Sequence, residues 1–343
     1  MRSQKTILRR DVGGGPANDR VKPKPVDMSV VATTAEAETA DRPLNWPRVQ
    51  KPGVEPALYG EHDYKELDIA FDRHDRVLWY HMKPRSRPSF TFELLQEIRR
   101  FQISVDELFA ETVGGPSPVR YLVLSSKLPG IFNLGGDLRL LAEMIRDGNY
   151  EGLRTYAQAC IDVLYPNAVN LNQPLVTVSL VQGDALGGGF EAALSSNVLI
   201  AERGAKFGLP EVLFNLFPGM GAYSFLSRRI GNVAAEKLIF SGKIHTAQDL
   251  HDLGVVDVLV EDGEGEEAVY DFVEREGRRF NAHRAVYQTR QCVNPVTLEE
   301  LTNVAKIWVD AATRLEKSDL RRIDRLASSQ DRRWDEALAG ART

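Results

Sequence analysis

The chain is 343 residues long, 43% hydrophobic and 27% charged, with a formal net charge of −5; it is long enough to bury one large core or two modest ones. The negative balance argues against nucleic acid or an anionic membrane as the main partner, because both select a concentrated positive field. Cys160 and Cys292, the two cysteines, make neither a disulfide framework nor a zinc pattern, which fits a reducing cytoplasm.

Residues 1 to 60 carry Pro16, Pro23, Pro25, Pro43, Pro47, Pro52 and Pro56 among small and charged residues, a composition that predicts a disordered or loosely ordered tail. The basic opening has no apolar h-region behind it, and no run reaches the ~18 apolar residues of a membrane span. Regular patterning starts with strand-like runs at Leu67 to Phe71 and Val77 to Met82, parted by the polar Asp72-Arg73-His74-Asp75. A helix pattern from Phe92 to Phe109 leads to a strand at Tyr121 to Ser125, a Gly135-Gly136-Asp137 turn and a helix at Leu138 to Arg146. A helix at Leu153 to Tyr165 then precedes a strand at Leu175 to Val181, the Gly187-Gly188-Gly189 turn, a helix at Glu191 to Ser196 and a strand at Val198 to Ala201. Strands alternating with crossovers predict a largely parallel α/β core. After Pro218 the pattern is mostly helical, over Tyr223 to Ile230, Ala234 to Phe240, Ala268 to Phe280, Leu298 to Leu315 and Leu320 to Leu326, with Val255 to Val260 as the one late strand. No internal repeat is legible.

Chemistry concentrates at the two glycine turns. Each follows an apolar strand and opens a helix, so each can expose a backbone N–H at a sheet edge, where α/β proteins bind ligands. Gly136 presents its amide in the first turn, with Asp137 placed to cap the next helix. Gly188 does so in the second, and three adjacent glycines exceed what a turn alone requires. Two such donors on one carbonyl oxygen would hold the charge of an enolate or a tetrahedral adduct, each worth ~3 kcal/mol. The plain alternative is a pair of tight βα connections.

Glu191 lies one helical turn beyond Gly188, and Glu211 follows 20 residues later. Both sit among apolar neighbours, Phe190 and Ala192-Ala193-Leu194 for one, Leu209-Pro210 and Val212-Leu213-Phe214 for the other. Such settings raise a carboxyl pKa towards neutrality and suit a pair that divides acid and base roles. No rival constellation stands out: His74, His81, His245, His251 and His283 are scattered, and the phosphate-loop and dinucleotide patterns are absent. No metal or other cofactor is expected.

These residues resemble the crotonase (enoyl-CoA hydratase/isomerase) superfamily over roughly residues 65 to 330. The resemblance implies an α/β fold, a spiral of ββα units over residues 61–285, with a C-terminal helical region over residues 286–343 covering the acyl site. It assigns the oxyanion amides to Gly136 and Gly188 and the catalytic carboxylates to Glu191 and Glu211, with Gly135 as a substrate contact. It also implies a homotrimer or dimer of trimers. The acyl tail needs an apolar tunnel, for which Leu134, Leu209, Met220 and Leu326 are candidates by position and Trp308 by resemblance; core packing is the alternative for each.

Within the superfamily, the segments around Phe132-Asn133-Leu134-Gly135-Gly136-Asp137, Gly208-Leu209-Pro210-Glu211, Phe217-Pro218-Gly219-Met220-Gly221-Ala222-Tyr223-Ser224-Phe225 and Ile307-Trp308-Val309-Asp310 are most similar to the RpfF-like diffusible-signal-factor synthases of bacterial quorum sensing. Ordinary hydratases differ at Leu209 and at Ala222-Tyr223-Ser224. That resemblance implies dehydration of a 3-hydroxyacyl group on acyl carrier protein, or a CoA thioester, followed by hydrolysis to a cis-2-unsaturated fatty acid. Glu211 is assigned to the C2 proton and Glu191 to the hydroxyl. A two-component sensor kinase is the protein partner it implies. The alternatives are an enoyl-CoA hydratase or isomerase of fatty-acid metabolism and a non-catalytic binding protein.

Overall fold

The computed structural model describes residues 64–112, 115 and 117–340; the tail expected over residues 1–60 lies outside them. Strands β1 (Leu67–Asp72) and β2 (Val77–Met82) form an antiparallel hairpin with Leu67 opposite Met82. Asp72 closes its turn, accepting the N–H groups of His74 and Asp75 at 2.8 and 3.1 Å. Helix α1 (Phe92–Glu111) then crosses over to β3 (Tyr121–Ser126), which runs parallel to β2. Thr91 starts α1 by accepting the Leu94 N–H at 3.2 Å.

From β3 onward the same unit recurs three times. β3 is followed by β4 (Ile131–Asn133) and by α2 (Leu138–Arg146) and α3 (Tyr150–Ala168). Next, β5 (Val176–Val181) is followed by β6 (Asp184–Leu186) and α4 (Gly188–Leu194). Last, β7 (Val198–Glu202) is followed by β8 (Lys206–Gly208), a 3-10 turn at Pro210–Phe214, α5 (Ala222–Ile230) and α6 (Asn232–Ser241). The first strand of each unit enters the large sheet and the second a small one. With β9 (Ile244–Thr246) and β10 (Val258–Val260), the orders are β1-β2-β3-β5-β7-β10 and β4-β6-β8-β9. Both sheets advance by one parallel strand per unit, which makes the stack a spiral of ββα units. The chain must bend sharply between its two sheets. At Gly183, between β5 and β6, a Cβ would collide with the Gly130 and Ile131 backbone.

Every residue of β5 is buried, as in a strand covered on both faces. The core on one side draws on α1, α3 and α4, while α8 (Gly265–Gly277) covers the other through Val269, Phe272 and Val273. After α7 (Ala247–Asp252) and β10, the chain is helical through α8, α9 (Phe280–Val293), α10 (Leu298–Ala312) and α11 (Lys317–Gly340). Helix α10 packs on α3 and α11 on α2. Ion pairs Arg139–Asp331 and Arg146–Asp324 join α11 to α2, and Gln330 donates to the Leu134 carbonyl at 2.8 Å.

Two sequence expectations need correction. Val255 to Val260 is not the one late strand, because β9 pairs antiparallel with β8. Helix α9 was not expected: none of its residues is buried, so its apolar spacing is weak. Positions 285 and 286, where the C-terminal helical region was expected to begin, lie within α9.

Candidate active site

The ends of β4, β6 and β8 bring three turns together. Asn133 Oδ1 accepts the Gly135 N–H at 2.7 Å and holds the first turn in shape. Gly135 has φ +92°, and a Cβ on it would lie 2.8 Å from the Leu186 oxygen and 3.0 Å from the Gly188 nitrogen. The two glycine turns therefore touch backbone to backbone. Each member of the triglycine has its own steric reason. Gly187 has φ +52° and a Cβ there would stand 2.5 Å from Glu211 Oε1; one on Gly188 would strike the Met220 sulfur, and one on Gly189 the Asn133 carbonyl. Among the described residues the N–H groups of Gly136 and Gly188 have no hydrogen-bond acceptor, and both glycines line one cavity. Two unengaged amides on one cavity wall are what an oxyanion requires.

Both glutamates line that cavity. Glu191, on the first turn of α4, is 1% exposed. Its Oε1 accepts the N–H groups of Met220 and Ala222, each at 2.8 Å. The run from Gly219 to Ala222 is therefore a backbone cradle at the start of α5, opened by Gly221 with φ +123°. Burial pushes the Glu191 carboxyl up to about 7, against the pull of the Ala222, Met220 and Gly221 amides. Glu211 sits in the 3-10 turn after β8. The residue as a whole is half-buried, but its Oε2 is enclosed and has no hydrogen-bond partner. Burial and then the neighbouring Glu191 charge push it up to about 8, with only its own N–H opposing. Two buried carboxyls that repel one another titrate as a pair, and each holds its proton to higher pH than a free carboxyl does.

Most of the remaining wall is apolar, with Leu138 and Leu141 from α2, Ala157 from α3, Phe214 at the end of the 3-10 turn, Leu216 just after it and Trp308 from α10; Asp137 also borders the cavity. Of the expected tunnel residues, Met220 and Trp308 line the cavity, and the Trp308 indole lies against Gly219. Leu134, Leu209 and Leu326 do not. Leu134 turns away to pack with Ile131 and Ala337, Leu209 enters the main core, and Leu326, on α11, joins a cluster with Ala142, Phe214 and Leu216 beside the cavity. Gly135 backs Gly188 rather than lining the cavity. Asp137 caps α2 as expected, accepting the Leu140 N–H at 3.1 Å, and its carboxylate also pairs with Arg87.

Sequence reasoning missed Tyr156 and Cys160, which reach the cavity from one face of α3. Nothing local marks them, since an amphipathic helix shows which face is buried but not what it meets. It also missed the amide cradle, although Gly219 and Gly221 just before a helix pattern were a usable sign of one. Among the described residues no cluster of His, Cys, Asp or Glu could hold a metal, and no helix is long and apolar enough to cross a membrane.

Comparison with known proteins places this geometry. The sequence profile of the enoyl-CoA hydratase/isomerase family matches residues 109–313, more than half of the chain. Methylglutaconyl-CoA hydratase from rat mitochondria is 32% identical over 152 residues, covering 44% of this chain and 46% of that protein. The chain thus spans about half the length of the curated relatives it matches. Among solved structures, enoyl-CoA hydratase from Bacillus halodurans is 21% identical with a TM-score of 0.64, covering 76% of this chain and 99% of that one. DspI from Pseudomonas aeruginosa is 22% identical with a TM-score of 0.59, covering 74% and 97%. These two share the fold. With a spiral of ββα units, two unengaged amides and a profile match over more than half its length, the chain belongs to the enoyl-CoA hydratase/isomerase family.

Proposed function

We propose that the protein interconverts 3-hydroxyacyl and 2-enoyl thioesters and, as a synthase of a fatty-acid signal, also releases the cis-2-unsaturated acid by hydrolysis. One observation carries the first half: two raised carboxyls share a cavity with two amides that lack acceptors. The thioester oxygen sits between the Gly136 and Gly188 N–H groups, which stabilise the enolate formed when C2 loses or gains its proton. One carboxyl handles the C2 proton and the other handles the oxygen at C3.

The surroundings order the proton within the pair. Amides from Met220 and Ala222 favour charge on Glu191, whereas the bare Oε2 of Glu211 favours the proton there. Glu191 as base and Glu211 as acid is the arrangement for adding water to an enoyl thioester. Dehydration uses the reverse: Glu211 takes the C2 proton and Glu191 protonates the departing hydroxyl. For hydrolysis the same amides hold a tetrahedral oxyanion while a carboxylate activates water. The synthase half rests on the segments from Phe217 to Phe225 and Ile307 to Asp310, with Met220 and Trp308 on the cavity wall.

The test is incubation of the full chain with 3-hydroxydodecanoyl carrier protein and mass spectrometry of the acids formed. The expected product is free cis-2-dodecenoic acid, and its absence sinks the synthase reading. A second reading, a hydratase of CoA thioesters, is favoured by the resting proton order, which suits water addition. Rapid hydration of crotonyl-CoA without loss of the thioester would establish it instead.

A further inference from the structure

Tyr156 lines the cavity, yet its hydroxyl is engaged with backbone that belongs to the first glycine turn. It donates to the Phe90 carbonyl at 2.6 Å and accepts the Asp137 N–H at 3.0 Å. Phe90 in turn donates its N–H to the Gly135 carbonyl at 2.7 Å, and pairs with Gly136 as an isolated parallel bridge. The Gly135 carbonyl and the Gly136 N–H belong to one planar trans peptide and point in opposite directions. Holding the carbonyl towards Phe90 therefore aims the N–H the other way. The hydroxyl also fixes the following peptide through Asp137, so both peptide planes around Gly136 depend on it. Tyr156 is itself held: it is 4% exposed, and the Phe92 ring meets it edge-on at 5.4 Å. Gly136 has no side chain to set its own direction; a Cβ there would lie 3.4 Å from the tyrosine oxygen.

We infer that Tyr156 is a positioning residue for the oxyanion site, aiming the Gly136 amide through Phe90 and Asp137 without touching the reacting atoms. The inference rests on the reading of Gly136 and Gly188 as oxyanion donors. Its hydrogen is committed to Phe90, so the hydroxyl has none to give a substrate.

The test is the infrared carbonyl band of [1-13C]butyryl-CoA, a saturated thioester that cannot be hydrated, bound to the full-length protein and to Tyr156→Phe. Wild type is expected to shift the band below its solution position, and Tyr156→Phe to return it most of the way. In the same variant kcat on crotonyl-CoA should fall about 10- to 100-fold, with KM within about twofold. A band that stays shifted in a folded Tyr156→Phe overturns the inference. With binding of the labelled thioester first established by equilibrium dialysis, no shift in wild type removes the oxyanion reading and this inference with it, which separates the two failures. If Tyr156→Phe does not fold, 3-fluorotyrosine at position 156 keeps the bonds while making the phenol more acidic. A positioning role predicts an unchanged pH–rate profile, and movement of its alkaline limb would mean direct proton donation and overturn the inference.

Discussion

Glu191 and Glu211 line the same cavity, but their surroundings were assembled differently. The first lies in a short buried helix, with one oxygen seated on the amides of Met220 and Ala222. The second lies in a 3-10 turn between a three-residue strand and the segment that leads into α5, with one oxygen enclosed and unpartnered. An enclosed carboxyl without donors keeps its proton, whereas one with amide donors can afford the charge. Under the proposed function, that asymmetry favours the charge on Glu191 and the proton on Glu211. It also makes a clear prediction about what happens when either is neutralised.

The largest effects should come from Glu191→Gln and Glu211→Gln, each lowering kcat about 10²- to 10⁴-fold. Because the two act as one unit, the double variant should be little slower than the worse single one. Steady-state kinetics on crotonyl-CoA measures all three. Multiplying effects would mean that the carboxyls act independently, and the comparison would fail. Next, Gly188→Ala should lower kcat about 10²-fold by driving the new Cβ into the Met220 sulfur and displacing the amide. Glu191 should feel that change too, since the Met220 N–H is one of its donors. Gly187→Ala instead presses on Glu211 Oε1, so the two alanines probe the two carboxyls separately.

The proton shared by the pair should appear in the pH profile. Dividing acid and base roles between the two requires one charge and one proton, so kcat/KM is expected to rise as the pair loses its first proton and fall as it loses the second. The limbs belong to the pair, with Glu191 pushed to about 7 and Glu211 to about 8. Replacing either glutamate by glutamine should remove one limb. A wild-type profile that is flat from pH 6 to 9 would contradict the shared proton.

The sequence made the chemistry more legible than the framework around it. Glu191, Glu211, Gly136 and Gly188 stand in short motifs that a local reading singles out, and the structure gathers all four on one cavity. The long strands and helices were legible because their periodic apolar faces meet a core. Strands β4, β6, β8 and β9 span three residues each, too few for a period-2 pattern to emerge. They nonetheless make the second sheet on which both glycine turns are mounted. Of the expected tunnel residues, Leu134, Leu209 and Leu326 lie off the cavity wall, because where an apolar side chain points depends on packing between distant segments. Tyr156 was invisible for the same reason, since its partners Phe90 and Asp137 lie 66 and 19 residues away.

The smallest predicted effect concerns stability and separates the two carboxyls most directly. A carboxyl whose folded pKa is raised binds more protons in the folded state than in the unfolded one. Its contribution is therefore favourable at low pH and declines as pH rises from the unfolded value near 4.3 through the folded one. For Glu211 that window extends to about 8. Glu211→Gln removes the cost of ionising an enclosed oxygen, so it should leave the unfolding midpoint nearly unchanged at pH 5 and raise it by about 3 °C at pH 9. Glu191→Gln should gain less at pH 9, because charge on Glu191 already has two amides to receive it and a glutamine there brings an NH₂ that those donors cannot use. Thermal unfolding at the two pH values measures the difference. Equal gains for the two variants would show that the Met220 and Ala222 amides do not distinguish the carboxyls, and the division into acid and base would then need another cause.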